Sequence, residues 1–584
     1  MLLNARAFTL YLATAVKIGH ATAQGMPVPV IGMTTGIDQV TEKLPLRMNI
    51  NTLEQEGGPM WDLLIRGLDA LQNKPEDDER SHFAIAGIHG MPYAPYNGVG
   101  PVSGGSWGGY CPHQSPQLIS WHRAFLVLYE QTLGDEVQRL ALEYTNDDAS
   151  AYREASQKLR LPYWDWASDP TLPPASTQEN ITVNGPDGVI NLHNPLYSYL
   201  WQTYPLNETQ FPGQGGMGPE TTRHEGGTDM TKFIKDSVYR TFSSATTYDE
   251  MASMAGSGSS FESPHNAIHN YVGGSFLNLD LTSFDTLFML HHCNLDRLSA
   301  MWTASHHDTL QAQPFTSQGL YSTAEGEIIT VDSPLKPFYQ ADGRTFHTGR
   351  TVATTEAFGY TYPDMIGDDQ GRKEVIVQIN NLYGDLSATE NWAAASTSRR
   401  EWFTEIQVDR ADLPLPCNID VYLGDQLAGR VSLLRMPRTG IAYDELSLSQ
   451  AVRSVDAYHD ESGGTERRLI NDLHVKVTKG DTTLDLRDIT SLHINVISEY
   501  ITPPSSETEF PSYNNRTTAT VIIVPNSDIL ATDIDRHAKP NVLSSHGKFG
   551  NSLALPLPLP LALGYDCHGI LDGTRRARRG SLPR

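Results

Sequence analysis

The strongest constraint on the fold is a change of hydrophobic period part-way along the chain. Up to about Pro363, apolar residues recur at helical spacing in separate blocks: Met60–Leu71, Ser81–Ile88, Ser120–Leu142, Ala149–Lys158 and Phe284–Ser305. Leu118, Trp121, Phe125, Leu126, Leu128, Tyr129 and Leu133 fall on one face of the longest block, so that face should be buried. Long Gly/Pro-rich stretches such as Pro92–Pro112 and Pro205–Gly227 lie between the blocks, and long loops in a compact domain are usually functional or disordered. After Tyr362 the apolar runs become short and β-rich: Val375–Ile379, Ile419–Leu423, Val431–Leu434, Leu473–Val477, Leu492–Ile497 and Ala519–Val524. The expected fold is a mainly α domain, a four-helix bundle with long irregular loops, followed by an all-β, sandwich-like C-terminal domain.

Boundaries follow from composition. Residues 1–23, with Arg6, an apolar run from Ala7 to Val16 and Ala21-Thr22-Ala23, read as a secretory signal peptide. Residues 24–365 form the helical domain and 401–540 the β-rich one. Residues 366–400 read as a last strand of the helical domain plus a linker, in which Ala393–Arg400 combines small residues with two arginines as an exposed, cleavable segment. Residues 541–584, with the Pro/Leu repeat Leu555–Pro560 and the basic Arg575–Arg579, read as a flexible tail. A formal net charge of −25 argues against a nucleic-acid partner. No later run approaches the roughly 20 apolar residues that cross a bilayer. Four cysteines in 584 residues exclude a disulfide scaffold. Sequons at Asn180, Asn207 and Asn515 are compatible with secretion.

Of the 20 histidines, the grouped ones carry information. His265 and His269 are at i and i+4, one turn apart on one helical face, which suits two ligands of one metal. The glutamate of a zinc-protease H-E-x-x-H is missing. His291 and His292 point about 100° apart on a helix, so at most one should face the metal held by the first pair. A second group lies upstream, where His113 should sit in the Pro-rich loop and His122 on the helix after it. His89 or His82 completes it, because seven residues keep the same face and spacing alone does not choose. All-nitrogen ligation suits copper, zinc or iron, and affinity order favours Cu(II).

The segments Cys111–Glu130, Leu161–Trp166 and His265–Arg297 resemble the two copper signatures of the type 3 copper proteins (tyrosinases, catechol oxidases and haemocyanins), most closely fungal tyrosinases. The resemblance runs in order over about Arg47–Pro363. It implies two copper ions, one on His89, His113 and His122 and the other on His265, His269 and His292, with His291 beside them and dioxygen as co-substrate. It further implies a thioether between Cys111 and His113, a closing clasp of Arg47 with Tyr360 and Tyr362, and a C-terminal domain that shields the site until an activating protease removes it. One departure is Asp285-Thr286-Leu287-Phe288, where the family has proline second; threonine there need not remove the helix.

The implied activity is ortho-hydroxylation of phenolic small molecules and oxidation of o-diphenols to o-quinones. The first step needs a base, and Glu262-Ser263-Pro264-His265-Asn266 resembles tyrosinases in which a glutamate and an asparagine order a water. Glu262 is expected to be ionised there. Leu279, thirteen residues before His292, stands where the family has its pocket gate, and Phe288 is expected beside the coppers. A catechol or o-aminophenol oxidase would share every ligand and differ in the water-holding pair. An oxygen carrier would keep the pocket permanently shielded.

Overall fold

The computed structural model describes residues 27–521, apart from 106–107, 146, 225–230, 307–312, 366–370, 385–397 and 455–463. The expected signal peptide, most of the expected linker and the tail lie outside the described residues.

The helical part is organised around α1 (Gly58–Gln72), α2 (His82–His89), α3 (Gln117–Ala141), α4 (Ala149–Lys158), α5 (Thr231–Ser244), α6 (Glu262–Val272) and α7 (Leu287–His306). Helix α2 starts where Ser81 accepts a hydrogen bond from the Ala84 amide at 3.0 Å, satisfying one of the amides that a helix start leaves free. Helix α7 starts without the family's proline: Asp285 accepts from the Leu287 amide at 3.0 Å, while Thr286 accepts from Gln72 at 2.8 Å. The apolar faces of α2, α3, α6 and α7 share one core with Phe125, Leu126, Ile268, Phe288 and Leu290, all fully buried. A hairpin, β1 (Asn180–Gly185) with β2 (Gly188–His193), decorates this part and was not evident in the sequence.

Arg47, Tyr360 and Tyr362 meet in a buried cluster. The Arg47 amide donates to Thr361 O at 2.9 Å and Thr361 returns a bond to Pro45 O at 3.1 Å. The Arg47 side chain bonds Glu130 at 2.8 Å and Asp296 at 3.3 Å, and its guanidinium lies 3.6 Å from the Tyr360 ring centre. Tyr360 and Tyr362 both donate to Asp296, at 2.8 and 2.6 Å. All of these groups are buried. Removing one partner would leave an uncompensated charge, which costs about 3–5 kcal/mol.

One local expectation fails. Val375–Ile379 is not a strand but the middle of α8 (Gly371–Tyr383), which buries Val375, Ile376, Ile379, Asn380 and Tyr383. That spacing is helical, and a short apolar run read alone does not separate the two periods.

The C-terminal part consists of β3 (Arg399–Asp409), β4 (Cys417–Leu423), β5 (Gln426–Leu433), β6 (Ile441–Ser447), β7 (Leu473–Lys479), β8 (Thr482–Thr483), β9 (His493–Thr502) and β10 (Ser512–Val521). These form two antiparallel four-stranded sheets, ordered β6-β3-β9-β10 and β8-β7-β4-β5. Ile406, Val408, Ile494 and Val496 of one sheet share a core with Ile419, Val421, Val431 and Leu433 of the other, giving the expected sandwich. Arg399 and Arg400, the end of the expected linker, already belong to β3 and pair with Ile501 and Tyr500.

The sandwich packs on α5 and α6. Arg240 of α5 bonds Glu445 of β6 at 2.7 Å and Glu499 of β9 at 2.7 Å, with its guanidinium between the rings of Phe403 and Tyr513 at 4.3 and 4.0 Å. Arg516 of β10 bonds the same two carboxylates at 2.8 Å each.

Candidate metal centre

Six imidazoles meet inside the helical part. His89 ends α2, His113 lies in the loop before α3, His122 is on α3, His265 and His269 are on α6, and His292 is on α7. All are buried. His89, His113 and His122 form one group, with ring centres 5.5–5.7 Å apart. In the other, the Nε2 atoms of His269 and His292 each lie 3.2 Å from that of His265. The groups adjoin, because His122 and His292 stack at 4.2 Å. Phe288 lies beneath both, 4.9 Å from His89 and 4.2 Å from His292.

The outward nitrogens are tethered. His89 Nδ1 meets Leu279 O at 3.2 Å, His122 Nδ1 meets Leu118 O at 2.8 Å, and His269 Nδ1 meets Phe276 O at 2.7 Å. A carbonyl only accepts, so each Nδ1 carries the proton and each Nε2 keeps its lone pair. The inward Nε2 atoms of His89, His113 and His122 are buried without a protein partner. Burial, together with the neighbouring imidazoles, holds the six rings neutral; burial, with the His269 ring beside it, takes His122 down to about 3, and burial takes His269 to about 4, despite their carbonyl bonds. Neutral rings with bare, converging nitrogens and carbonyl-anchored backs are the donor set of a metal site. Two groups close enough for one ion each, His265, His269, His291 and His292, and His89 and His113 beside Cys111, with His122 stacked on His292, have donors that suit copper.

The structure separates His82 from His89. His82 places Nδ1 at 2.9 Å from the Tyr129 hydroxyl and Nε2 at 2.8 Å from Phe284 O, so both nitrogens are occupied. His291 stacks on His265 at 4.7 Å and stands within the second group's reach, but its Nε2 makes no contact like that of His292 with His265. Cys111 is a buried thiol with Sγ 3.7 Å from His113 Nδ1.

Glu262 and Asn266 are both buried, yet their hydrogen bonds run apart. Glu262 accepts from the Gln114 amide, from the Met254 amide at 2.8 Å and from Ser253 at 3.1 Å. Burial raises its carboxyl above the usual range, and these donors and the Arg410 charge oppose that rise. Asn266 turns its oxygen to His265 Nδ1 at 2.9 Å and its nitrogen toward Met254 Sδ at 3.4 Å. It therefore orients a candidate ligand, a role that sequence reading missed. Leu279 is fully buried and serves the site through its carbonyl on His89.

The β5–β6 loop crosses this mouth. Leu434 and Met436 are buried in the helical core, and Arg410 holds the loop through Leu434 O and through Pro437 O at 2.7 Å. Gln114, next to His113, donates to Ile441 O at 2.6 Å. Between loop and helical part lies a cavity of about 480 Å³ whose wall includes Cys111, His113, Gln318, Met436 and Tyr443.

The model of the common central domain of tyrosinase matches residues 79–305, the stretch that contains all six imidazoles. A tyrosinase of Podospora anserina is 30% identical over 423 residues, which is 65% of this chain and 72% of that protein. The chain belongs to the tyrosinase family. A Neurospora crassa tyrosinase is also 30% identical, over 55% of this chain and 52% of its own length. Among solved structures, recombinant mushroom tyrosinase superposes with a TM-score of 0.73 at 20% identity, over 85% of this chain and 98% of that one. Aspergillus oryzae holo-protyrosinase does so at 0.65 and 18%, over 84% and 98%. Both likenesses extend through the sandwich, so this tyrosinase-family chain shares the two-part fold. No helix among the described residues is long and apolar enough to cross a membrane.

Proposed function

We propose that this chain is a copper-dependent oxidase that hydroxylates monophenols at the ortho carbon and oxidises o-diphenols to o-quinones. The observation that carries the reading is the two adjoining clusters of buried imidazoles, one holding His265, His269, His291 and His292, the other His89 and His113 with His122 beside them. His89, His113 and His122 would hold one copper ion and His265, His269 and His292 the other. Bound there, the pair supplies Lewis acidity and electrons for dioxygen reduction. The chain itself sets the geometry through the carbonyls on the Nδ1 atoms, walls the site with Phe288 and Leu279, and excludes water. Glu262 accepts the phenolic proton, directly or through a water. Its two oxygens offer about four acceptor positions, and the three donors leave room for that water.

We further infer that the intact chain is latent, with the sandwich covering the site through Leu434–Pro437 until a protease cuts within about Glu390–Arg400. A thioether between Cys111 and His113 is supported by the 3.7 Å from Sγ to Nδ1; in forming it a C–S bond would replace one S–H and one C–H, with dioxygen taking the two electrons. Residues 1–23 would direct secretion, and the sequon asparagines Asn180, Asn207 and Asn515 are all exposed, as glycosylation requires. The quinones formed would feed a melanin-type polymer.

A second reading, a diphenol oxidase without hydroxylase activity, is favoured by one observation: Glu262 and Asn266 share no polar partner atom, one bonding the Met254 amide and the other its sulfur. Oxygen uptake and quinone formation with L-tyrosine and L-DOPA, before and after limited proteolysis of the copper-loaded protein, decide between them. Turnover of both, with Glu262→Gln losing mainly the L-tyrosine activity, is the expected result. Turnover of L-DOPA alone makes the second reading correct, and turnover of neither removes the oxidase reading.

A further inference from the structure

Asp280 follows Leu279, whose carbonyl anchors His89, and pairs with Arg435, the neighbour of Met436, which lines the cavity together with His113. Its carboxylate is fully buried, with one oxygen accepting from the Tyr93 hydroxyl and the other paired with the Arg435 guanidinium. Its backbone is fixed as well: Met91 donates to Asp280 O at 2.9 Å, and Asn278 accepts from the Asp280 amide at 3.2 Å. The carboxylate is thus held rigidly, and the only cation paired with it among the described residues comes from the β5–β6 loop.

Arg435 sits between Leu434 and Met436, the two loop residues buried in the helical core, but its own side chain is 40% exposed. The loop therefore puts apolar groups inward and a cation at the rim. A phenol with a short aminoalkyl chain has the same layout, an apolar ring carrying an ammonium on a two-carbon tether. Once the loop leaves, Asp280 keeps the neutral Tyr93 donor and loses its positive partner. A poorly solvated carboxylate without a counter-charge favours cations and rejects anions.

We propose that Asp280 is a specificity-determining residue that selects phenols with a cationic side chain, and that Arg435 occupies, in the intact chain, the place such an ammonium takes. This rests on the phenol-oxidase reading and on removal of the sandwich.

The test uses full-length copper-loaded protein, cleaved in place and left unfractionated. Three phenols differing at the end of the same short chain are compared: tyramine (cation), 4-ethylphenol (neutral) and 3-(4-hydroxyphenyl)propanoate (anion). The wild type should show kcat/KM falling in that order, and the tyramine-to-propanoate ratio should shrink with added salt. Asp280→Asn should lower that ratio by roughly tenfold or more, the size of one ion-pair preference, while 4-ethylphenol stays within about threefold. Calorimetric titration with phenethylammonium, which needs no turnover, should show weaker binding to the variant by a similar factor. An unchanged ratio, or an equal fall for all three phenols, overturns the inference; the latter means that Asp280 acts through the Leu279 tether on His89. A salt-independent wild-type ratio near one overturns it without any variant. If the wild type does not oxidise 4-ethylphenol, the monophenol-hydroxylase reading fails and this inference fails with it, whereas turnover with a flat ratio sinks this inference alone.

Discussion

Replacing Arg240 by methionine should loosen the sandwich from the helical part and so raise activity before proteolysis. The guanidinium belongs to α5 and its acceptors to β6 and β9, so both bonds cross the interface, at 2.7 Å each. Deleting one partner of a buried ion pair usually costs about 3–5 kcal/mol, because the abandoned charge remains buried. Here Arg516, which comes from the sandwich itself, still pairs with Glu445 and Glu499 at 2.8 Å. The carboxylates are only half abandoned, so the interfacial cost should be ~2 kcal/mol, or roughly a 30-fold rise in the undocked fraction. While the docked form predominates, L-DOPA oxidation by the uncleaved variant should rise by about the same factor. Activity after complete cleavage should equal that of wild type, since the partners of Arg240 are Glu445, Glu499 and the rings of Phe403 and Tyr513 rather than an imidazole. The reasoning is refuted if Arg240→Met lowers the melting temperature yet leaves uncleaved activity at the wild-type level. The network would then stabilise the fold without controlling access.

Three further outcomes are expected. His82→Phe should retain two copper ions per chain by elemental analysis and lose only stability, about 1–3 kcal/mol for the two broken hydrogen bonds, whereas His89→Phe should lose one copper. Gly90→Ala should weaken copper binding and lower the melting temperature, because the new Cβ would stand 2.5 Å from Asp280 O, a backbone atom, directly after His89. Burial pushes the Asp444 carboxyl up to about 7, from the usual 3.8. Between those values the folded chain binds a proton that the unfolded chain releases, so this group's contribution to stability is full below about pH 4 and is lost as pH rises toward 7. Asp444→Asn should flatten that part of a denaturation-versus-pH curve, and an unchanged slope would reassign it to other groups.

Local pattern made the helices and the histidine groups legible, because both are short-range features. His265 and His269 announce a helix face within five residues, and α4 could be read end to end from its sequence. The choice between His82 and His89 was not legible, since it depends on Phe284 O and Leu279 O, 202 and 190 residues away. Strands β3 and β6 were missed for a related reason. Their buried faces carry Glu401 and Glu445, charged groups satisfied by arginines, Glu401 by Arg399 of its own strand and by Arg453, Glu445 by Arg240 and Arg516, so the apolar alternation is broken. The same holds for Asn266, whose partner is the imidazole beside it and whose role depends on which way the side chain turns.

Arg410 links the cover to the chemistry beneath it. It lies in the sandwich, binds the carbonyls of Leu434 and Pro437 that shape the loop, and places a buried positive charge where Glu262 feels it. Burial lowers its own guanidinium to about 10, still far above neutral, so the charge persists. In the covered state Glu262 therefore has four influences favouring its ionised form: Arg410 and the donors at Gln114, Met254 and Ser253. Removing the sandwich takes away the first and leaves the other three, which all come from the helical part. Removing the sandwich therefore acts on Glu262 in two opposed ways: loss of the Arg410 charge raises its pKa, while loss of burial lowers it.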